Sequence, residues 1–160
     1  LHKEYRRQRQ MCIRDRGMDY AYAQFFTGRQ DTGIMDHYRA HLSDGFPGRT
    51  LSAVCVSAAP TRQEALEQSL MAANFRVSLG TGRPVTFVTA SQMDAETRSL
   101  LTSYVLSNED TIFVGDYDEV ADKLTAFQDA HHVDELMLIS YIDNVQTKVE
   151  RYRQLAKRLI

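Results

Sequence analysis

The chain alternates, after Gly17, between short apolar runs and longer stretches whose apolar residues recur at helical spacing. Three runs, at residues 20–26, 51–59 and 135–142, are nearly continuous in apolar character. Such runs are typical of parallel strands that are buried on both faces. Residues 111–114 are predicted to be extended, whereas residues 85–89 fit a short strand and a loop equally well. The pattern therefore predicts three strands with helices between them.

Each amphipathic stretch begins at a residue that can cap a helix. The predicted caps are Asp31, Thr61 (in a capping box with Glu64), Asp94, Asp116 and Asn144. The first helix carries Ile34, Met35, Tyr38 and Leu42 on its apolar side and stops at the glycine-rich segment 44–48, and the second stops at residues 80–84. The predicted elements follow one another in the order strand, helix, strand, helix, insertion, helix, strand, helix. This order is typical of an α/β protein with parallel strands and right-handed crossovers.

Three parallel strands leave two long edges without a partner, which is unfavourable for a free-standing domain. A closed barrel of eight β/α units needs about 250 residues, so a chain of 160 residues holds less than that. The sequence therefore predicts one domain-sized part of a larger sheet.

Charge is distributed unevenly along the chain. Residues 1–16 hold six Lys/Arg and two acidic residues, a net charge of +4, and the rest of the chain has a net charge of −6. We expect residues 1–16 to be foreign to the folded body or disordered, because the chain opens with Leu1 and residues 11–16 resemble translated sequencing adapter. The acidic body at residues 17–160 argues against nucleic acid as a partner.

No run reaches the ~20 apolar residues of a membrane span, so no membrane association is expected. Two cysteines, Cys12 and Cys55, are too few for a disulfide scaffold, and a reducing cytoplasm is the expected location. Cys55 lies inside a predicted strand with no histidine beside it in the sequence, which favours core packing over a nucleophile.

Several chemically suggestive groups have simpler explanations. His37 and His41 have metal-binding spacing on one helix, but the sequence supplies no third ligand, and no metal site is predicted. His131 and His132 are predicted to mark a helix end, and Gly80–Arg83 to be a helix stop rather than a phosphate loop. The pair Asp134 and Glu135 precedes the third strand, where a turn and ion pairing are expected.

The carboxyl ends of the predicted strands carry better candidates, because the chemistry of α/β barrels gathers at that end. The residues placed there combine aromatic surface with single hydrogen-bonding groups, which suits a flat, partly apolar ligand with polar edges. They are Gln24, Phe25, Phe26, Ser57, Ser140 and Tyr141.

Three segments carry a family likeness. YAYAQFF at 20–26, followed by DTGI at 31–34, resembles the sixth-strand region of bacterial luciferase-like flavin monooxygenases. VGDYDEV at 114–120 with VDELML at 133–138 resembles the closing segment of that family, and RYRQLA at 151–156 is similar to its terminal helix. The likeness covers about residues 17–160.

The resemblance implies the C-terminal portion of a (β/α)8 TIM-type barrel, with the sixth to eighth strands and an insertion at about residues 80–114. It also implies a small organic substrate, with reduced flavin mononucleotide (FMN) or a deazaflavin as cofactor. A homodimer is possible. The first five strands would be missing, and many relatives have histidine at the position of Gln24, so no catalytic residue is assigned. The fragment alone is expected to be inactive.

Two other functions stay open at this point. A small stand-alone α/β domain without a cofactor could bind partners or self-associate through its edge strands. A nucleic-acid binder would depend on the basic residues 1–16 alone.

Overall fold

The computed structural model describes residues 17–27, 33–42, 45–109 and 111–160, which form a mixed α/β fold with a parallel sheet. The strands are β1 (Tyr20–Ala23), β2 (Thr50–Ala59), β3 (Ile112–Asp116) and β4 (Glu135–Ile139). The helices are α1 (Gln24–Thr27), α2 (Gly33–Arg39), α3 (Arg62–Thr81), α4 (Ala95–Leu106), α5 (Tyr117–His131) and α6 (Val145–Leu159), with a 3-10 turn at Ala90–Gln92.

The long strand β2 is the centre of the sheet and pairs in parallel with each of the other three strands. Cys55 is paired with Ile112 of β3 on one side and with Ile139 of β4 on the other. Ala53 pairs with Ala23 of β1 on one side and with Met137 of β4 on the other. Because β4 lies on one side of β2, both β1 and β3 lie on the opposite side. β1 therefore flanks the first half of β2, and β3 takes over along the second half.

Helices cover both faces of β2, which explains why nine of its ten residues are buried. The even-numbered Val54 and Val56 pack in one cluster with Leu124 of α5 and Leu155 of α6. On the opposite face, Cys55 and Ala59 pack in a second cluster with α3 and α4. These two surfaces of the sheet are called the α5–α6 face and the α3 face below.

The caps and stops predicted from the sequence are largely confirmed. Thr61, Asp94, Asp116 and Asn144 each accept a hydrogen bond from the backbone amide three residues on. Gly82 ends α3 with a left-handed φ of 69°, and His132 ends α5 in the same conformation. The prediction of helix stops at both places is correct.

The turn before β4 is also as predicted. Asp134 accepts hydrogen bonds from the backbone and hydroxyl of Thr50 and pairs with Arg39, and Glu135 pairs with Arg49. These contacts tie the start of β4 to the start of β2 and to the end of α2.

The first predicted strand is too long, because β1 ends at Ala23 and residues 24–27 form a helical turn. The cause is the arrival of β3, which occupies the same side of β2 from Cys55 onward. The extended segment at 111–114 is thus part of a fourth strand, where three were predicted. Residues 85–89 form a loop.

The predicted burial and length of the outer strands are wrong in part. β1 and β4 have exposed or half-buried residues on both faces. Of the three strands predicted to be buried on both faces, only β2 is so buried. β4 ends at Ile139, which places residues 140–142 beyond the strand. α2 ends at Arg39, before Leu42, because the amides of His41 and Leu42 bond only three residues back.

One half of the α3 face is left open. α3 packs over the carboxyl-terminal half of β2, whereas nearer the strand starts Ala21 is exposed and Met137 is 52% exposed. Leu51, which pairs with Ala21, is half-buried. Ala21, Leu51 and Met137 therefore form an uncovered apolar strip, bordered by Glu135, the β4 partner of Leu51.

Some predictions fall on residues outside the described ranges: the leader at 1–16 with Cys12, the Asp31 cap, and Asp44 in the predicted stop. Among the described residues, no helix is long and apolar enough to cross a membrane.

Candidate functional site

Gln24 follows β1 directly and is fully buried. Its amide Nε2 donates to the backbone oxygen of Thr111, 3.4 Å away, at the start of β3. The side chain therefore joins the end of β1 to the strand that continues along the same side of β2.

Phe25 and Phe26 stay together after β1, with ring centroids 4.2 Å apart. Phe25 packs against the α3-face cluster, whereas Phe26 is 56% exposed. Arg76 of α3 fixes this turn, since its Nε donates to the Phe25 oxygen at 3.1 Å and its two terminal nitrogens donate to Thr111. Phe26 thus offers an aromatic surface beside a well-anchored turn.

Ser57 is buried on the α3 face, in register with Val114 of β3. Its hydroxyl donates to the backbone oxygen of Ala65 at 2.7 Å. The structure thus uses this hydroxyl to attach the first turn of α3 to the sheet.

Ser140 and Tyr141 diverge immediately after β4. The Ser140 hydroxyl donates to Tyr152 Oη at 3.0 Å, and its carbonyl accepts from Lys148 Nζ at 3.0 Å, both on α6. Tyr141 packs instead against the α3-face cluster. The structure therefore places Phe25 and Tyr141 against the same cluster and sends Ser140 toward α6.

A cleft opens beside Tyr141, between α3, the loop at 85–94 and the start of α6. It has two adjoining parts of about 620 and 410 Å³, in the size range of small-molecule sites. The larger part is lined by Met71, Phe87, Thr89, Gln92, Ile139, Ser140, Tyr141, Ile142, Asp143 and Lys148. Ser140 and Tyr141 are the two predicted site residues that line it.

Aromatic rings form one wall of this region. The ring centroids of Phe75, Phe87 and Tyr141 lie 5.5 to 6.1 Å from one another, and Phe87 is 62% exposed. Phe75 and Phe87 were not predicted as site residues. Phe75 lies four residues after Met71, on the same side of α3, so helical spacing could have indicated it; Phe87 sits in a loop, where no periodicity applies.

Charges of both signs surround the cleft. The larger part contains Lys148 and Asp143, and the smaller part adds Glu64, Glu67 and Arg151. The Arg151 guanidinium is engaged by the Ala58 carbonyl at 2.8 Å and by the Gln68 side chain. Burial raises the pKa of the Tyr141 phenol, so that it stays neutral near pH 7.

Cys55 is 1% exposed, and burial raises the pKa of its thiol to about 11. A neutral thiol inside the core is a packing group, as the sequence predicted. The His37 and His41 rings contact each other at a tilt, with centroids 4.2 Å apart, and the described residues contain no group of three or more His, Cys, Asp or Glu side chains that could hold a metal.

Comparisons with known proteins point to one family, although no protein-family model matches the chain. The chain is 24% identical over 147 residues to N-acetyl-S-alkylcysteine monooxygenase of Bacillus subtilis (strain 168). It also matches the crystal structure of apo-MsnO8 with 25% identity and a TM-score of 0.66. Its homologues are luciferase-like flavin monooxygenases.

The chain spans about half the length of these luciferase-like relatives. The match covers 90% of this chain but 44% of the Bacillus enzyme, and 93% of this chain but 47% of MsnO8. Long-chain alkane monooxygenase (LadA) is similar at 17% identity, with a TM-score of 0.49, over 80% of this chain and 33% of its own.

Proposed function

We propose that the chain is the C-terminal portion of a luciferase-like flavin-dependent monooxygenase. In this proposal residues 17–160 supply the sixth, seventh and eighth strands of a (β/α)8 barrel, as β1, β2 and β4, with residues 80–114 as an insertion. The observation that carries it is the match of nearly the whole chain to about half of a relative, combined with the parallel sheet.

The open strip at Ala21, Leu51 and Met137 supports this proposal. In a closed barrel the inner face of every strand is packed against side chains of the other strands. Ala21, Leu51 and Met137, at the start of three parallel strands, fit such an interior, and the proposal requires α3, which covers the other half of this face here, to lie outside the closed barrel. The alternative of a small stand-alone domain is not favoured, because the homologues are enzymes of twice this length.

The proposed cofactor is reduced FMN, bound at the carboxyl ends of the strands. The cleft suits the ring system of a flavin because Phe87 and Tyr141 give it apolar aromatic surface, and Thr89, Gln92 and Ser140 supply hydrogen-bonding groups. A bound reduced flavin supplies the chemistry that activates oxygen or transfers hydride.

This chain would bind and orient the ring and keep water away from it. Tyr141 and Phe87 would contact it directly, Ser140 would border it, and Phe25 and Phe26 would extend the aromatic surface. Gln24 and Ser57 would hold the strand ends in place through Thr111 and Ala65.

The proposal is tested on the complete reading frame that contains this chain. The purified protein is titrated anaerobically with reduced FMN, air is admitted, and the oxidised product of an N-acetyl-S-alkylcysteine, the substrate class named in the Bacillus relative, is quantified. We expect FMN binding and product formation that requires both the protein and reduced FMN. Phe87→Ala is expected to weaken FMN binding roughly tenfold, since a stacked aromatic contact is lost.

Leu100→Ala is the matched control, because Leu100 on α4 is 61% exposed, almost as much as Phe87, and does not line the cleft. We expect it to leave FMN binding unchanged. A full-length protein that binds no flavin would overturn the proposed function. Product formation from other small organic substrates, but not from the thioether, would change the proposed substrate and leave the proposed flavin-dependent monooxygenase standing.

A further inference from the structure

The ammonium group of Lys148 lies at the border of the cleft. Its Nζ donates to the Ser140 carbonyl at 3.0 Å and lies 5.9 Å from the centroid of the Tyr152 ring. Both contacts hold the side chain at the end of β4, where it lines the larger part of the cleft. The position of this charge is therefore set by two neighbouring groups.

Lys148 has donors left over that its neighbours do not use. Within the described residues it forms no ion pair with a carboxylate, whereas Arg151, the other cation of the cleft, is engaged by the Ala58 carbonyl and the Gln68 side chain. Asp143 lines the same cleft but makes no ion pair with Lys148. An ammonium ion has three donors, and the Ser140 carbonyl accepts one of them.

Much of the lining around this charge is apolar. Met71, Phe87, Ile139, Tyr141 and Ile142 line the larger part of the cleft, together with the polar side chains of Thr89, Gln92 and Asp143. A half-buried ammonium beside such walls is complementary to a ligand that carries an anionic group on an apolar body, because a charged hydrogen bond is stronger where water is reduced.

We propose that Lys148 is the anion-binding residue of this cleft, and that it takes the carboxylate or phosphate of an otherwise apolar ligand. This inference rests on the proposed function, in which the same cleft serves a flavin and a small organic substrate. A substrate carboxylate and the FMN phosphate present the same chemistry to an ammonium group, so the experiment separates them.

The first arm uses hexanoate and hexanol as probes of the 160-residue chain, with amide NMR shifts as the measurement. We expect hexanoate to shift residues around Tyr141 and Lys148 and to bind at least threefold more tightly than hexanol. Lys148→Met keeps the aliphatic stem and should lower hexanoate affinity about 3- to 10-fold, with hexanol unchanged. Lys148→Arg should restore most of the hexanoate affinity.

Lys157→Met is the control, because Lys157 is an exposed lysine of the same helix and does not line the cleft. It should leave hexanoate affinity as in the unsubstituted chain. If Lys148→Met and Lys157→Met behave alike toward both hexanoate and FMN, the proposal is wrong.

The second arm compares FMN with riboflavin, which lacks the phosphate, on the full-length protein. A Lys148→Met loss confined to FMN assigns Lys148 to the cofactor phosphate, and a loss confined to hexanoate assigns it to a substrate carboxylate. Lysine-dependent anion binding in a protein without flavin-dependent product formation would overturn the proposed function and leave the anion site standing. Flavin-dependent activity with no effect of Lys148→Met in either arm would overturn the anion site and leave the proposed function standing.

Discussion

Asp134 and Thr50 bind each other reciprocally across the starts of β4 and β2. The amide and hydroxyl of Thr50 donate to Asp134 Oδ2 at 2.7 and 2.9 Å, and the amide of Asp134 donates to the Thr50 carbonyl at 3.1 Å. Arg39 adds an ion pair to the same carboxylate oxygen at 3.0 Å. This contact fixes the register at which β4 joins the sheet.

Asp134→Asn should therefore cost about 1–2 kcal/mol of unfolding free energy at pH 7, because charge-assisted hydrogen bonds and an ion pair are lost at a site partly open to water. Urea denaturation measures the loss. Glu135→Gln is the control and should cost less than ~0.5 kcal/mol, because the Arg49–Glu135 pair is largely exposed. Equal losses in the two variants would contradict this role of Asp134.

The same contact predicts a pH dependence. Burial alone would raise the pKa of Asp134, but the hydrogen bonds from Thr50 and the charge of Arg39 outweigh burial and lower the pKa. A depressed folded pKa stabilises the protein above the unfolded value of about 4, and this stabilisation is lost as pH falls through the folded pKa. The difference between the unsubstituted chain and Asp134→Asn should thus shrink as the pH is lowered from about 5 to 3.

Gly115 makes room for an ion-pair network. An added Cβ would overlap the Glu119 carboxyl group, which pairs with Arg62 of α3 and with Lys123 of α5 at 2.9 Å. Gly115→Ala should therefore cost roughly 1–2 kcal/mol of unfolding free energy, as the network must rearrange.

The control for this variant is Gly80→Ala. Gly80 lies in α3, and an added Cβ there meets no atom within 4 Å. It should gain roughly 0.5–1 kcal/mol of stability, since alanine is the better helix former. If both alanine variants changed stability in the same direction in urea, the role of Gly115 would be wrong.

Cys55 provides a probe of local opening on the α3 face. With a thiol pKa of about 11, about one molecule in 1,000 is a thiolate at pH 8, and the sulfur is buried. In a Cys12→Ser background, a thiol reagent should modify Cys55 far more slowly in the folded chain than in urea. Arg76→Met should speed this modification, because it frees Phe25 and Thr111 from α3; unchanged kinetics would contradict that role.

Met137 distinguishes a stand-alone domain from a barrel fragment. It is 52% exposed in this chain, so Met137→Lys should change the stability of the isolated chain by less than ~0.5 kcal/mol. In the full-length protein the same lysine would lie inside a closed barrel, at an expected cost of at least ~3 kcal/mol. Thermal melts of both proteins measure this, with Leu100→Lys as a surface control; a harmless Met137→Lys in the full-length protein would argue against the barrel.

Much of the fold follows from local sequence chemistry. The buried run at 51–59 and the caps at Thr61, Asp94, Asp116 and Asn144 are local properties, and the structure confirms them. The end of β1 could not be predicted in this way. It depends on β3, which arrives almost ninety residues later to take the same side of β2.

The candidate site shows the same limit. Position at a strand end was enough to select Tyr141, but Phe87 reaches it from a loop without periodicity, and Lys148 reaches the Ser140 carbonyl from α6. Ser57 illustrates the opposite failure of local reasoning. The Ser57 hydroxyl bonds to the backbone of α3 at Ala65 and does not face a ligand site. The sequence does not show which of these two directions a polar side chain at a strand end will take.

The most direct test of the central claim is to recover the genomic sequence upstream of Gly17 and translate it in the same frame. The barrel proposal predicts that the frame continues through five further β/α units to a methionine start, in place of residues 1–16. A start codon at or just before Leu1 would contradict the barrel proposal and would favour the stand-alone α/β domain.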